Sequence, residues 1–284
     1  MQKEKPSLGQ LRKHKMLFGL SPLGLLTLVA CGGDSKSGGD SAVISKSISG
    51  SVVKGPLSNA LVFLDYDSDS VQDTGEPSVR TGASGDFSLT TSNSDYTIVA
   101  ITDRSTVDTS SGTVLSGVTL KAVKGAEVVT PVTTLMKEGG FTADQVVKVL
   151  QLPNEIDPLN FNPYTHYHNV SALAVEKVAQ QVMTVVNAYA AAAEGAGATE
   201  AKAFEAAIKS VSEIVKVKIS KLDDLTAFTR DQTLDFTSTV DLALIKAQVT
   251  TEVADLSGIN TIAFNALAED TSTSIKNVND AIEA

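Results

Sequence analysis

An acidic stretch in the first half of the chain has the residue types and the spacing of a cation-binding loop. Carboxylates fall at positions 1, 3, 5, 9 and 12 of a twelve-residue segment, and the residue at position 7 offers its backbone carbonyl. Hard oxygen donors in this EF-hand spacing, without a neighbouring His or Cys, favour Ca²⁺ over zinc or copper. The predicted ligands are Asp65, Asp67, Asp69, Val71, Asp73 and Glu76.

Electrostatics supports the same interpretation, because five carboxylates this close together repel one another unless a cation lies among them. Two positions depart from the EF-hand pattern. Ser70 stands where the sharp turn favours Gly, at a cost of roughly 1–2 kcal/mol for a left-handed residue, and Gln72 replaces an apolar residue. We expect an EF-hand-like loop between strands, with an affinity of about 10⁻⁴–10⁻³ M. The alternative is an acidic hairpin loop that only keeps the protein soluble.

The loop must be positioned by β-structure, since residues 44–129 alternate short β-branched runs with clusters of Gly, Pro, Ser and Asp. Gly55-Pro56 and Ser84-Gly85-Asp86 supply turn chemistry between the runs. Several short strands at this spacing favour a small antiparallel β-sandwich. The strands are predicted over residues 48–53, 60–64, 87–89, 96–101, 114–120 and 127–129.

From residue 130 the apolar period changes from two residues to 3.6, which predicts an α-helical domain over 130–284. Thr130-Pro131 is typical of a helix N-terminus, and Thr142 with Gln145 fits a capping box. An apolar stripe from Val175 to Tyr189 predicts a helix that ends at 195–197, and three more helices follow. Strands followed by helices indicate an α+β fold, a β-sandwich followed by a helical bundle.

The one cysteine of the chain, Cys31, follows a segment with the features of an export signal. Residues 1–30 combine a basic region, a short apolar core and small residues at the end. The run Leu28-Val29-Ala30-Cys31 resembles the lipobox of bacterial lipoprotein signal peptides, which implies lipidation of Cys31 and a membrane anchor. Residues 31–43 predict a flexible Gly/Ser tether. The alternative is an uncleaved terminus with a buried free cysteine.

Charge limits the partners of the exported part. The chain holds 23 Lys and Arg against 33 Asp and Glu, a net charge of −10. Residues 1–30 contain five cations and one anion, so removal of their net +4 leaves −14 on residues 31–284. This balance disfavours nucleic acid and anionic lipid as partners, because phosphate contacts need cations. By resemblance to Gram-negative lipoproteins, Gly32 after the lipidated cysteine implies sorting to the outer membrane.

The β-rich part also resembles a known family of modules. The resemblance is carried by residues 48–65, by the acidic loop with Gly75-Glu76-Pro77, and by residues 81–89. These stretches look like a transthyretin-like β-sandwich, as in carboxypeptidase-regulatory-like domains and the B-type repeats of bacterial adhesins. With the run at 129–135, the resemblance covers about residues 46–190. It implies a structural or adhesive domain whose loop binds Ca²⁺ through Asp65, Asp67, Asp69, Asp73 and Glu76.

Two other motifs are weaker candidates for a catalytic or metal-binding site. Ser51 and Lys54 match S-x-x-K by letters only, in a predicted strand and without the partner motifs of that enzyme class. His166 and His168 are spaced to ligate one metal together with Asp157, but a surface loop between helices is the commoner explanation.

The sequence therefore predicts a lipid-anchored envelope protein without catalytic activity. In this hypothesis a Ca²⁺-stiffened β-module carries a helical domain that binds, adheres to or scaffolds other envelope proteins or glycans, and no nucleic acid. The competing hypothesis is an envelope hydrolase or carbohydrate-processing enzyme with its site in the helical half.

Overall fold

The computed structural model describes residues 45–221 and 232–284. Cys31, the predicted signal peptide over 1–30 and the predicted tether over 31–43 lie outside the described residues. In the described part all strands precede all helices. The chain is thus of mixed α and β structure, and the expectation that both kinds of element are present is confirmed.

The first part of the described chain contains ten short strands. Most coincide with the predicted β-branched runs, and three very short ones were not predicted. The strands are β1 (Lys46–Val52), β2 (Leu57–Ser58), β3 (Leu61–Asp65), β4 (Ser78–Arg80), β5 (Asp86–Thr91), β6 (Thr97–Ile101), β7 (Val107–Asp108), β8 (Thr113–Val114), β9 (Thr119–Val123) and β10 (Val128–Val129).

These strands form three small sheets in the described residues, with the orders β10-β1-β5, β2-β7-β8 and β4-β3-β6-β9. The strand pairs are antiparallel apart from β1 and β10, which are parallel with Val52 opposite Val129. Parallel neighbours need a long connection, and the strands between β1 and β10 supply it. The expectation of antiparallel pairing therefore does not hold for this pair.

The four-stranded sheet positions the acidic loop. Its two central strands, β3 and β6, are buried on both faces, as expected of strands that are covered on two sides. The register places Leu61, Ile101 and Thr119 opposite one another, so these side chains form one row on one face. By alternation, Val62 and Ile98 point to the other face, where they join the core with residues of β1 and β5.

The helices occupy the second part of the described chain. Six helices lie there: α1 (Pro131–Gly139), α2 (Ala143–Val149), α3 (Val170–Gly195), α4 (Glu200–Ser220), α5 (Thr239–Ala254) and α6 (Thr261–Glu283).

The predicted helix boundaries are confirmed where capping residues marked them. Thr130 precedes Pro131 at the start of α1, and its side chain accepts a hydrogen bond from the backbone N–H of Thr133. Thr142 and Gln145 form the predicted capping box of α2. These local hydrogen bonds satisfy N–H groups that a helix start otherwise leaves without partners.

Helix α1 joins the four-stranded sheet to the other helices. The hydroxyl of Thr133 donates to the carbonyl of Lys121 on β9 over 2.9 Å, and the N–H of Lys121 donates to the hydroxyl of Thr134 over 2.9 Å. The ammonium group of Lys121 also lies 2.7 Å from the carboxylate of Glu138. The backbone N–H and C=O of Lys121 on the edge strand β9 thus bind threonine side chains of α1 instead of a further strand.

Residues Val43–Ala284 form one compact unit, and its apolar core is continuous from the sheets into the helices. Tyr189 of α3 and Phe264 of α6 are among the largest fully buried side chains. The change from strands to helices at residue 130 falls inside this unit. A helix with the length and apolarity to cross a membrane is not found among the described residues.

Candidate metal centre

The acidic loop begins at the buried end of β3. The apolar run of this strand stops at Asp65, which pairs with Thr97 of β6 and is only 1% exposed. The chain then leaves the sheet and returns at Pro77, whose carbonyl accepts the N–H of Leu64 over 3.2 Å. The loop is therefore closed at its base by the sheet, as the sequence predicted from the strand over 60–64.

The carboxylate of Asp65 organises the first half of the loop. One oxygen, Oδ1, accepts the N–H groups of Asp67 and Ser68 over 3.2 and 2.6 Å, and Oδ2 accepts the N–H of Ser70 over 3.0 Å. A buried carboxylate is costly unless such hydrogen bonds compensate it. Asp65 is therefore satisfied by the loop backbone, and the backbone is held in turn by Asp65.

Two serines in the loop adopt the left-handed conformation, with φ of 68° at Ser68 and 64° at Ser70. The sequence predicted this conformation for Ser70, which occupies position 6, but not for Ser68. Each such residue costs roughly 1–2 kcal/mol. The N–H groups of both serines donate to Asp65, so the same carboxylate offsets the strain.

Asp67 and Asp69 continue the pattern of short-range hydrogen bonds. The N–H of Asp69 donates to Oδ1 of Asp67 over 3.3 Å, and the N–H of Val71 donates to Oδ1 of Asp69 over 2.7 Å. An Asp that accepts the N–H two residues ahead is the ordinary Asx turn. The spacing of Asp at every second residue thus builds turns as well as a possible ligand set.

Glu76 closes the second half of the loop. Its Oε1 accepts the N–H of Tyr66 over 2.7 Å, and its Oε2 accepts the N–H of Asp73 over 2.9 Å. The side chain is buried, with 8% exposure. Both carboxylate oxygens thus accept N–H groups of the loop.

The side-chain oxygens of the loop form two overlapping groups of three. The ligand atoms of Asp65, Asp67 and Glu76 lie within 4.8 Å of one another, and so do those of Asp67, Asp69 and Asp73. The first group contains two buried residues, whereas the second is exposed. The N–H bonds occupy only part of the about four lone-pair sites of each carboxylate, so each group could hold a metal ion.

Asp67 belongs to both groups, and its electrostatic environment reflects this position. The hydrogen bond from the Asp69 backbone lowers its pKa, but desolvation and the negative charges of Asp69, Asp65 and Asp73 outweigh that bond. The net effect raises the pKa of Asp67 above the ordinary value of 3.8. The crowded carboxylates thus favour either a proton or a cation at this point of the loop.

Val71 and Gln72 occupy positions 7 and 8 of the loop. Val71 follows Ser70 with its N–H bound to Asp69, and its side chain is 56% exposed. Gln72, which departs from the EF-hand pattern, donates from its side-chain amide to the carbonyls of Asp73 and Glu76 over 2.9 and 3.4 Å. The departure therefore has a structural role that sequence reasoning missed.

Tyr66 also holds the loop in position, which the sequence did not indicate. Besides its N–H contact with Glu76, its hydroxyl lies 2.7 Å from the hydroxyl of Thr91 on β5. This contact ties the loop to a different sheet. Nothing in the local pattern marks a single tyrosine for such a long-range contact.

The histidines of the second half lie in a different setting. Nδ1 of His166 is 2.8 Å from the carbonyl of Asn162, and its ring stacks on Phe161 with 4.8 Å between ring centroids. His168 packs against Tyr167. Within the described residues, the groups of three potential metal ligands contain carboxylates and no histidine.

The central position of Asp65 predicts a loss of stability that does not depend on a metal ion. Asp65→Asn leaves one accepting oxygen for three backbone N–H groups and places an amide donor against them. In buffer with a chelator, the free energy of unfolding should fall by about 2–3 kcal/mol. Urea unfolding followed by circular dichroism measures this change.

Asp69→Asn is the matched control, because the exposed Asp69 accepts only the N–H of Val71 among the hydrogen bonds described for it, and an amide oxygen can accept it too. Its effect should stay within about 0.5 kcal/mol. Equal losses for both variants would show that Asp65 does not organise the loop.

Comparison of the chain with protein-family models, with curated proteins and with solved structures gave no match in any of the three. The resemblance to transthyretin-like modules therefore stays a prediction from the residues. The candidate centre is defined by its own geometry: a buried aspartate, a buried glutamate and a shared exposed aspartate between them.

Proposed function

We propose that the acidic loop binds Ca²⁺ and stiffens the β-rich half of a lipid-anchored protein of the bacterial cell envelope. Its role is binding, adhesion or scaffolding, and the proposal assigns no reaction to the chain. The observation that carries it is the pair of carboxylate groups that share Asp67. One loop brings four acidic side chains, those of Asp65, Asp69, Asp73 and Glu76, close to Asp67, and their mutual repulsion favours a bound cation.

Calcium fits this donor set better than magnesium does. Ca²⁺ takes about six to eight oxygens in flexible geometry, whereas Mg²⁺ demands a near-ideal octahedron. The oxygens here are oriented by Asx turns and by backbone N–H groups, so their arrangement follows the loop. An ion that tolerates irregular geometry is the better match.

Stiffening follows from where the first group of ligands lies in the chain. Asp65 ends β3, and Glu76 stands two residues before β4. An ion held between them would fix both ends of the connection between two neighbouring strands of one sheet. Because several carboxylate oxygens already bind N–H groups, the affinity should be weak, about 10⁻⁴–10⁻³ M as in extracellular modules.

The finer architecture belongs to the same proposal. The sheets β10-β1-β5 and β4-β3-β6-β9 would be the two layers of a transthyretin-like sandwich, and α1–α6 a helical bundle behind it. Ile48 and Phe87 of the first sheet share one core with Val62 and Ile98 of the second, which supports a two-layer module. An ion at the end of β3 would then stabilise an edge of this module.

Residues outside the described part support the envelope location. Cys31 closes a segment with the composition of a lipoprotein signal, and a Gly/Ser-rich stretch that predicts a flexible tether follows it in the sequence. The high net negative charge of the exported part fits partners such as other envelope proteins or glycans better than nucleic acid. Gly32 favours the outer membrane by the same resemblance.

Calcium should raise the thermal stability of the compact unit Val43–Ala284. A ligand selective for the folded state stabilises it by mass action, so about 5 mM Ca²⁺ at the expected affinity contributes about 1–2 kcal/mol. The unfolding midpoint should rise by about 2–8 °C, measured by scanning calorimetry against the same protein in a chelator.

Asp67→Asn should remove most of this rise, because Asp67 belongs to both ligand groups. Glu127→Gln, at an exposed carboxylate next to β10, is the matched control and should keep it. An unchanged midpoint in the wild-type chain would leave the loop as a solubilising acidic hairpin.

The raised pKa of Asp67 predicts that calcium binding weakens as the pH falls. A carboxylate must lose its proton to bind the ion, and Asp67 takes up its proton at a higher pH than an ordinary aspartate. The calcium-induced rise in the midpoint should therefore shrink as the pH falls from neutral towards the ordinary aspartate pKa of 3.8.

In the ion-free protein, the contribution of Asp67 to stability depends on pH in the opposite sense. This contribution is present below the ordinary pKa of 3.8 and is lost as the pH rises through the raised pKa of Asp67. Asp67→Asn should flatten this ion-free dependence. A calcium effect that is constant across the range would contradict a role for Asp67 as ligand.

Lipid anchoring is tested by Cys31→Ser in a Gram-negative host that exports the chain with residues 1–30. The variant should leave the detergent phase on Triton X-114 partition and lose incorporation of labelled palmitate, since the thiol carries the acyl chain. Ser37→Ala in the tether is the control and should behave like the wild type. Membrane partition that persists in Cys31→Ser would refute the anchor.

A further inference from the structure

A cavity of about 410 Å³ lies between the acidic loop, the four-stranded sheet and α4. Leu61 and Ile101 line it from the sheet, where they occupy the same cross-strand row. Phe204 and Ile208 line it from α4, one helical turn apart. The walls are thus mainly apolar and are contributed by elements that the core holds in place, and the volume is within the usual range for small-molecule sites.

The acidic loop itself forms the outer wall of the cavity, through Val71. This valine is 56% exposed in a segment that is otherwise polar. Coordination of an ion would use only its backbone carbonyl, so the proposed calcium site gives no reason for an apolar side chain here. The position of Val71 at the outer wall of an apolar cavity explains why an apolar side chain stands there.

The charged groups around the cavity are predominantly acidic. Asp69, Glu138 and Glu205 line it together with a single lysine, Lys121. Lys121 is paired with Glu138 over 2.7 Å, so Asp69 and Glu205 are the carboxylates of the lining that no ion pair within the lining neutralises. Lys209, which interacts with Glu205 from outside the lining, is itself paired with Glu252 over 2.7 Å. An apolar cavity with a negative edge selects a ligand that joins an apolar body to a positive group.

We propose that this cavity binds a small organic cation, an amine attached to an apolar ring or chain. The apolar body lies between Leu61, Ile101 and Phe204, and the ammonium group lies near Asp69 and Glu205. Neutral analogues of the same shape bind more weakly and anionic ones are disfavoured. The inference goes beyond the calcium site. The cavity shares Asp69 with that site, but it is lined by the sheet and α4 whether or not an ion is bound.

Three probes with one apolar body test the charge preference: 4-phenylbutylamine, 4-phenylbutanol and 4-phenylbutyrate. They are titrated by calorimetry into the full chain in buffer with a chelator, so that a failure of calcium binding does not affect the result. The amine should bind about two- to fivefold tighter than the alcohol, and the acid should bind weakest. No binding of the amine, or binding of the acid as tight as that of the amine, would overturn the proposal.

Variants on α4 locate the site. Glu205→Gln should remove the two- to fivefold preference for the amine and leave the alcohol unchanged. Glu213→Gln is the matched control, because Glu205 and Glu213 both interact with Lys209 but only Glu205 lines the cavity. Equal effects of the two would overturn the assignment of the charge.

Ala201→Phe fills the cavity from an exposed position of the helix, where the fold does not depend on the side chain. It should weaken both the amine and the alcohol while the thermal midpoint stays unchanged. Undiminished binding in this variant would place the ligand elsewhere and overturn the proposal.

Discussion

The buried carboxylate of Asp65 is the constraint on which the acidic loop depends. A negative charge with 1% exposure at the end of a strand is tolerated only if donors surround it. The loop supplies three backbone N–H groups, and to do so it places two serines in a left-handed conformation. Strain, buried charge and hydrogen bonds therefore compensate one another. The result is a fixed path that brings Asp67 back over Asp65 and towards Glu76.

The same spacing of aspartates serves two physical purposes. An Asp at every second residue closes successive Asx turns, each of which uses an oxygen for a backbone N–H. The remaining lone pairs converge in the two groups that share Asp67. Each turn satisfies a backbone N–H group. Desolvation and the neighbouring carboxylates raise the pKa of Asp67, and a bound cation would relieve the repulsion between these carboxylates. The turns alone would not require five acidic residues to meet, and this excess is the argument for a cation.

Local signals in the sequence predicted local structure well. The Thr130 and Thr142 caps, and the left-handed turn at Ser70, follow from hydrogen bonds or steric rules that span a few residues. The parallel pairing of β1 with β10, and the short strands β2, β4 and β7, could not be predicted. Two or three residues carry no readable alternation, and their pairing depends on partners distant in sequence. Within the loop, the sequence marked the acidic residues that the structure brings close together, but the role of Gln72 and the contact of Tyr66 with Thr91 depend on how the loop folds back.

The acidic loop contributes to both proposed sites, chiefly through the side chain of Asp69. Asp69 would be a ligand in the exposed carboxylate group and also lines the apolar cavity, where Val71 forms the outer wall. A calcium ion at that group would neutralise the charge that attracts an amine and would fix the position of the valine. By linkage, an amine near Asp69 would in turn weaken calcium binding by the same factor. The α1 contacts to β9 hold the opposite side of the cavity through Lys121 and Glu138. The coupling between the two proposed sites would thus be electrostatic and would run through the carboxylate of Asp69, at the loop side of the cavity.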